Sequence, residues 1–107
     1  MTQVELLDLL KTTGYPIAYH HFVSAATPPY IVYLRSFDTN ISSDTKVHGK
    51  FKNYQVELYT KKKDLVAEQS IEAVLNNIDT DYDTLETYIE SEEMYQVVYQ
   101  LKIIEKR

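Results

Sequence analysis

The strongest constraint on the fold is an apolar stripe at helical spacing within residues 64–78. Five apolar side chains fall on one face of a helix at this spacing: Ala67, Ile71, Val74, Leu75 and Ile78. Asp64 precedes them and is suited to the N-cap position, because its carboxylate can accept backbone N–H groups of the first turn. A helix with a single apolar stripe must cover it, so we expect the chain to form a sheet on which this helix lies.

Four segments have the patterns of β-strands. Residues 53–60 alternate apolar and polar side chains, which is the period of a half-buried strand. Residues 30–34 are typical of a buried strand. Residues 83–90 and 94–105 indicate two further strands joined by a tight polar turn.

The first thirty residues contain a second helix and a break. Thr2 and Glu5 have the spacing of a capping box and predict a helix over residues 3–12. Residues 17–22 are a short β-like stretch. We expect residues 24–29 to be irregular, because consecutive prolines remove backbone donors and restrict their neighbours.

Residues 36–53 are polar, contain Gly49 and lack a sustained apolar period. We predict a long polar loop or arm there, and long loops in compact domains are usually functional. The whole chain, residues 1–107, is then one domain of the α+β class. We expect a mostly antiparallel sheet with two helices packed on one face.

Ten tyrosines and the absence of cysteine are the unusual features of the composition. Nearly all of the tyrosines lie in strand-like segments, which favours sheet and core positions and leaves an interface role open. Without cysteine there is no disulfide or thiolate metal site, so stability must come from packing. No apolar run is long enough to cross a bilayer, and an acid stands where a secretory signal carries bases, so we expect a cytosolic protein.

The charges are segregated along the chain. The formal net charge is −5, which argues against a sequence-independent nucleic-acid binder. Residues 46–63 contain six lysines and one acid, whereas residues 79–93 contain seven acids and no base. We hypothesise that copies meet head to tail, basic surface on acidic surface, in a contact that closes into a ring. The candidate subunit or partner interface is Lys46, Lys50, Lys52, Lys61, Lys62, Lys63, Asp79, Asp81, Asp83, Glu90, Glu92 and Glu93.

The sequence contains no motif that predicts catalysis or cofactor binding. There is no nucleophile elbow, and two glycines cannot form a phosphate-binding loop. His20 and His21 are neighbours that would point to opposite faces of a strand, so hydrogen-bonded or exposed histidines are favoured over a metal site. Residues 79–83 resemble the start of a calcium loop but lack its glycine and terminal glutamate, which favours a solvated turn. We therefore expect no enzyme, no metal and no cofactor.

Three blocks in fixed order carry a resemblance to a known family: residues 29–33, 53–64 and 86–99. Together they resemble the small tail-completion, or tail-terminator, proteins of siphophages and prophages of Gram-positive bacteria. The resemblance implies a structural subunit without catalytic residues that forms a ring, commonly hexameric, at the head-proximal end of the tail.

The partners that the resemblance implies are other copies of the chain, the tail tube protein and the head connector or head-closure protein. It implies assembly in the host cytoplasm and a place at the head–tail joint of the virion, with no membrane and with DNA at most passing through the ring. No family pattern is recognised around His20 and His21.

Two alternatives remain open on the sequence. A head-closure or adaptor protein of the same connector has a similar size and similar partners. A small phage-encoded inhibitor or binding module would use an acidic face to mimic nucleic acid, and would be a stable monomer or dimer with a tight host partner.

Overall fold

A computed structural model of the chain describes residues 2–43, 46–78 and 80–106. The elements in chain order are α1 (Gln3–Lys11), β1 (Ile17–Tyr19), β2 (Tyr30–Ser43), β3 (Lys46–Thr60), α2 (Leu65–Asn77), β4 (Tyr82–Ile89) and β5 (Met94–Lys106). The five strands form one sheet in the order β1-β2-β3-β5-β4. All pairings are antiparallel except β1 with β2, so the predicted α+β class with a mostly antiparallel sheet is confirmed.

Strand β3 is the centre of the sheet and pairs along both of its edges. Val56 lies opposite Tyr33 of β2 and opposite Tyr99 of β5, and all three side chains are buried. Because side chains alternate between the two faces of a strand, these residues point to the same face. The residues on this face that are buried are Ile31, Tyr33, Tyr54, Val56, Leu58, Val97, Tyr99, Leu101 and Ile103.

Both helices cover this face of the sheet. The predicted stripe of α2 is confirmed as the covering surface, since Ala67, Ile71 and Leu75 are fully buried in the same core. Helix α1 contributes Leu6 and Leu10 to that core. The open face, which is the side of the sheet away from the helices, carries the intervening side chains of each strand.

The predicted caps of the helices are present. Thr2 and Glu5 form a reciprocal capping box at the start of α1. The Asp64 carboxylate accepts the backbone N–H of Ala67 at 3.0 Å at the start of α2. After α1 the chain reverses through Gly14, whose φ of 84° lies in the left-handed region that glycine adopts without a steric penalty.

The prediction of a long loop at residues 36–53 is wrong. Residues 36–43 and 46–53 are the outer parts of β2 and β3 and form the outer hairpin of the sheet, while residues 44 and 45 lie outside the described residues. In this hairpin the backbone N–H and C=O groups of polar residues are paired across the two strands, so the strands form without an alternation of apolar side chains. The radius of gyration is 15.0 Å, with a longest extent of 49 Å. A compact domain of this length has about 13 Å, so the molecule is elongated.

The short β-like segment predicted at residues 17–22 ends earlier than expected. Strand β1 stops at Tyr19, and His20 has a positive φ of 69° with its backbone N–H donated to the Tyr33 carbonyl at 2.8 Å. The two histidines therefore lie in a turn, with ring centroids 5.7 Å apart, and the expected placement on opposite faces of a strand is wrong. The irregular segment at 24–29 is confirmed, and its Pro28–Pro29 peptide bond is cis.

Replacement of Ile71 by alanine tests whether α2 is held by its stripe. Ile71 is fully buried, so we expect the change to lower the free energy of unfolding by about 2–5 kcal/mol through lost transfer energy and a cavity. The matched control is Val66→Ala on the same helix, because Val66 is 70% exposed and such surface changes stay within about 0.5 kcal/mol. Urea unfolding measures both, and equal effects of the two substitutions would contradict this packing.

Candidate interaction surface

The fold divides the predicted basic residues between the two ends of β3. Lys46, Lys50 and Lys52 lie on the outer hairpin, whereas residues 61–63 follow the last residue of β3 and lead into α2. Lys61 lies eleven positions after Lys50 along the chain, which corresponds to roughly 35 Å of extended strand. The six lysines therefore form two separate groups and not one basic surface.

The predicted acidic residues also occupy two places. Asp81 and Asp83 are exposed at the start of β4, next to the middle of β5, and Asp79 lies outside the described residues. The exposed residues Glu90, Glu92 and Glu93 form the turn between β4 and β5.

Strand pairing brings this acidic turn to the same end of the sheet as the second lysine group. Tyr95, just after the turn, lies opposite Thr60, the last residue of β3. Lys61 and Lys62 follow immediately and are exposed. At this end of the sheet the opposite charges that are far apart in sequence are close in the fold.

Lys63 is paired within the chain. Its Nζ lies 2.8 Å from Oε2 of Glu68 in the first turn of α2 and also bonds Oε1 of Glu86 on β4. These hydrogen bonds, the one to Glu68 first, raise the pKa of the Lys63 ammonium above its ordinary value. Positive charge beside a helix N-terminus is unfavourable, and Glu68 and Asp64 offset it. Lys63 thus joins α2 to β4, although an exposed ion pair of this kind stabilises a fold only slightly.

Aromatic side chains are concentrated on the open face near β1. The rings of Tyr30 and Tyr59 stack with centroids 5.1 Å apart, and Phe22 meets Tyr30 edge-on at 5.3 Å. The Tyr59 hydroxyl donates to Oε1 of Glu57 and accepts from Nε2 of Gln96, each at 2.9 Å. Burial, together with the Glu57 carboxylate, raises the pKa of Tyr59 to about 12.

A cleft of about 330 Å³ lies over these rings. Its floor is Tyr30, Val32 and Tyr59, and one wall is formed by residues 20–26, where the Val23 side chain is fully exposed. Glu92 of the acidic turn also lines the cleft, and among the described residues it is the one member of the predicted interface that does so. The cleft was not predicted, because it depends on how the irregular segment after β1 folds back over the sheet.

The tyrosines serve the core and the surface in different places. Tyr33, Tyr54 and Tyr99 are buried, as the strand patterns favoured. The Tyr99 hydroxyl donates to Oε2 of Glu72 at 3.4 Å and so links the core of the sheet to α2. Burial and the nearby Glu72 raise the pKa of Tyr99 above its ordinary value. Tyr88, in contrast, is 47% exposed on β4.

Comparison with solved structures shows a related fold. The chain is similar to a chain of the virion of a native gene transfer agent particle, with a TM-score of 0.61 and 12% sequence identity. The match covers 91% of this chain and 84% of that chain, so the two folds correspond over nearly their whole length. At this identity the likeness shows the fold alone.

No protein-family profile matches the chain, and no curated protein matches it. Over residues 2–43, 46–78 and 80–106 the structure has no helix that is both long and apolar enough to span a membrane.

The Tyr59 environment predicts a pH dependence of stability. In the unfolded chain Tyr59 ionises near its ordinary pKa of 10, whereas in the fold it stays protonated up to about pH 12. Between these values the folded state binds more protons, so this contribution lowers the free energy of unfolding as the pH rises. We expect Tyr59→Phe to show a shallower decline between pH 10 and 12 in urea unfolding. Below pH 9 the free energies of unfolding of the wild type and the variant should change in parallel with pH. If the variant declined as steeply as the wild type above pH 10, Tyr59 would not be the group responsible.

Proposed function

We propose that this protein is a structural, non-enzymatic subunit of a phage or phage-like virion. More specifically, it oligomerises as a ring at the head-proximal end of the tail, where it completes the tail and allows the head to join. It works through its surface, without catalytic residues or a cofactor.

The observation that carries the proposal is the likeness to a chain of the gene transfer agent virion. The likeness extends over most of both chains, so the shared unit is the whole domain and not a common supersecondary motif. The same blocks of sequence that resemble tail-completion proteins supply residues 30–33 of β2, residues 53–60 of β3 and residues 86–99 of the β4–β5 hairpin, which are neighbouring parts of the sheet. Both likenesses thus support a structural protein of a phage-like particle, and the place at the tail end rests on the resemblance in sequence.

The distribution of polar groups supports a role in contacts. Charged residues are grouped at both ends of an elongated molecule, and the open face presents an aromatic cleft beside an acidic turn. Tyrosine-rich surfaces are enriched at protein interfaces because the ring is apolar and the hydroxyl can still bond. Surfaces on several sides suit a subunit that contacts its own copies, the tail tube and the head connector.

A head-closure or adaptor role at the same connector is the second candidate. The similar solved chain belongs to a whole virion, and that description does not separate the head side of the joint from the tail side. In both cases assembly would take place in the host cytoplasm and the protein would remain in the virion. DNA would contact it only while passing through the ring.

Deletion of the gene from its phage tests the proposed function directly. We expect electron micrographs to show overlong tails, or normal heads and tails that are not joined, because the tail end is not completed. Expression of the wild-type chain in trans should restore complete particles. Intact, infectious virions from the deletion strain would contradict the proposal.

A pull-down distinguishes the two candidate positions at the joint. Purified protein is incubated separately with isolated tail tubes and with DNA-filled heads, and co-sedimentation is measured. A tail-completion subunit should sediment with tubes, whereas a head-closure protein should sediment with heads. High salt should weaken the charged contacts. The distance over which exposed charges act is about 8 Å at physiological salt, and it becomes shorter as the salt concentration rises.

A further inference from the structure

We propose that β4 of one copy pairs with the outer part of β2 of the next copy, so that one sheet continues from subunit to subunit. This rests on the proposed function, since the partner it names is a second copy of the chain. The interface would be heterologous, with a different edge of the sheet used by each partner.

Strand β4 is an open edge suited to pairing. Among the described strands it pairs only with β5, over all eight of its residues and without a register shift. Residues 83–88 are all exposed, including Leu85 at 65% and Tyr88 at 47%. Edge strands of monomeric proteins are usually blunted by lysine, proline or a bulge, and β4 contains none of these.

The opposite edge of the sheet offers a second open strand. Strand β1 pairs with residues 31–33 of β2 and with no more of it. From residue 34 to Ser43 the described structure places β3 on one side of β2 and no strand on the other. Register shifts interrupt this stretch between Arg35 and Asp38 and between Ile41 and Ser42, so the regular run that can receive part of β4 is Asp38–Ile41.

Charge complementarity selects these two edges as partners. The β4 edge carries Asp83, with Asp81 just before it, and no base occurs in residues 79–93. Glu86 is also on β4 but is bonded to Lys63 of the same chain. The outer hairpin carries Lys46, Lys50 and Lys52 on β3. Arg35 lies on β2 itself, and in residues 35–52 the four bases outnumber two acids, Asp38 and Asp44. An acidic strand is therefore brought beside a basic hairpin.

The same charges disfavour a two-fold contact between two β4 strands. Such a contact would place two copies of Asp83 within one short ladder, and like charges across strands are destabilising. A head-to-tail contact avoids this repulsion. Repeated around an axis it closes into a ring when the rotation permits.

The absence of cysteine allows a clean test by cross-linking in the full-length protein. Leu85→Cys places one thiol on β4, and Thr39→Cys places one on the outer part of β2. The two variants are mixed at high protein concentration, treated with a short bismaleimide and run on a denaturing gel. Covalent capture traps even a minor associated population. Val66→Cys, an exposed apolar position on α2, replaces Leu85→Cys in the control mixture.

We expect the Leu85→Cys and Thr39→Cys mixture to form several-fold more dimer than the control mixture. A chain with both substitutions should form a ladder of oligomers that ends at the size of the closed ring. Dimers of Leu85→Cys alone would overturn the proposal in favour of a two-fold contact. Yields equal to those of the control would also overturn it.

The outcome of the cross-linking experiment can be distinguished from the outcome of the gene deletion. If the ladder forms while the deletion strain makes intact virions, the contact between copies stands and the role in the tail fails. If the deletion gives the expected defect while the mixture does not cross-link, the role in the tail stands and this contact fails.

Discussion

The pairing of β3 along both of its edges is the interaction on which the rest of the structure depends. It sets Val56 between Tyr33 and Tyr99 and so aligns three strands into one apolar face. That face is what α1 and α2 cover, and burial of apolar area at about 25 cal/mol per Å² is the main stabilising contribution. Because β3 runs on past this core as part of the outer hairpin, the same strand that anchors the fold also carries three lysines away from it.

The predictable parts of the fold are those in which burial of one face makes apolar residues recur at the spacing of a helix or a strand. The stripe of α2, its Asp64 cap and the alternation around Val56 are each read from neighbouring residues, and each is present. The outer hairpin was missed because its sequence has no sustained apolar alternation that would mark it as a pair of strands. In Asp38 and Lys52, for example, the sequence shows only polarity, while the pairing of their backbones depends on the register set further along by Tyr33 and Val56.

The candidate surface was less predictable than the fold for a related reason. Local sequence gives the sign of a charged segment, but the strand order decides which segments meet. From the sequence Lys63 was placed in the candidate interface, whereas the return of β4 beside β5 places Glu86 of the same chain next to it. The cleft over Tyr30 and Tyr59 has no sequence signature at all, since it requires residues 20–26 to fold back across the open face.

In the proposed contact between copies, the acids of β4 would act on association in two ways at once. An open, regular strand edge with an exposed leucine is a hazard for uncontrolled pairing, and net negative charge on that edge opposes pairing with its own kind. The same charge does not oppose a basic edge, so it discriminates between partners more than it adds affinity. A subunit that must remain separate until it meets the correct neighbour needs this kind of selectivity. Within this proposal, the segregation of acids and bases along the chain would serve the control of assembly, since exposed charges contribute little to the stability of the fold.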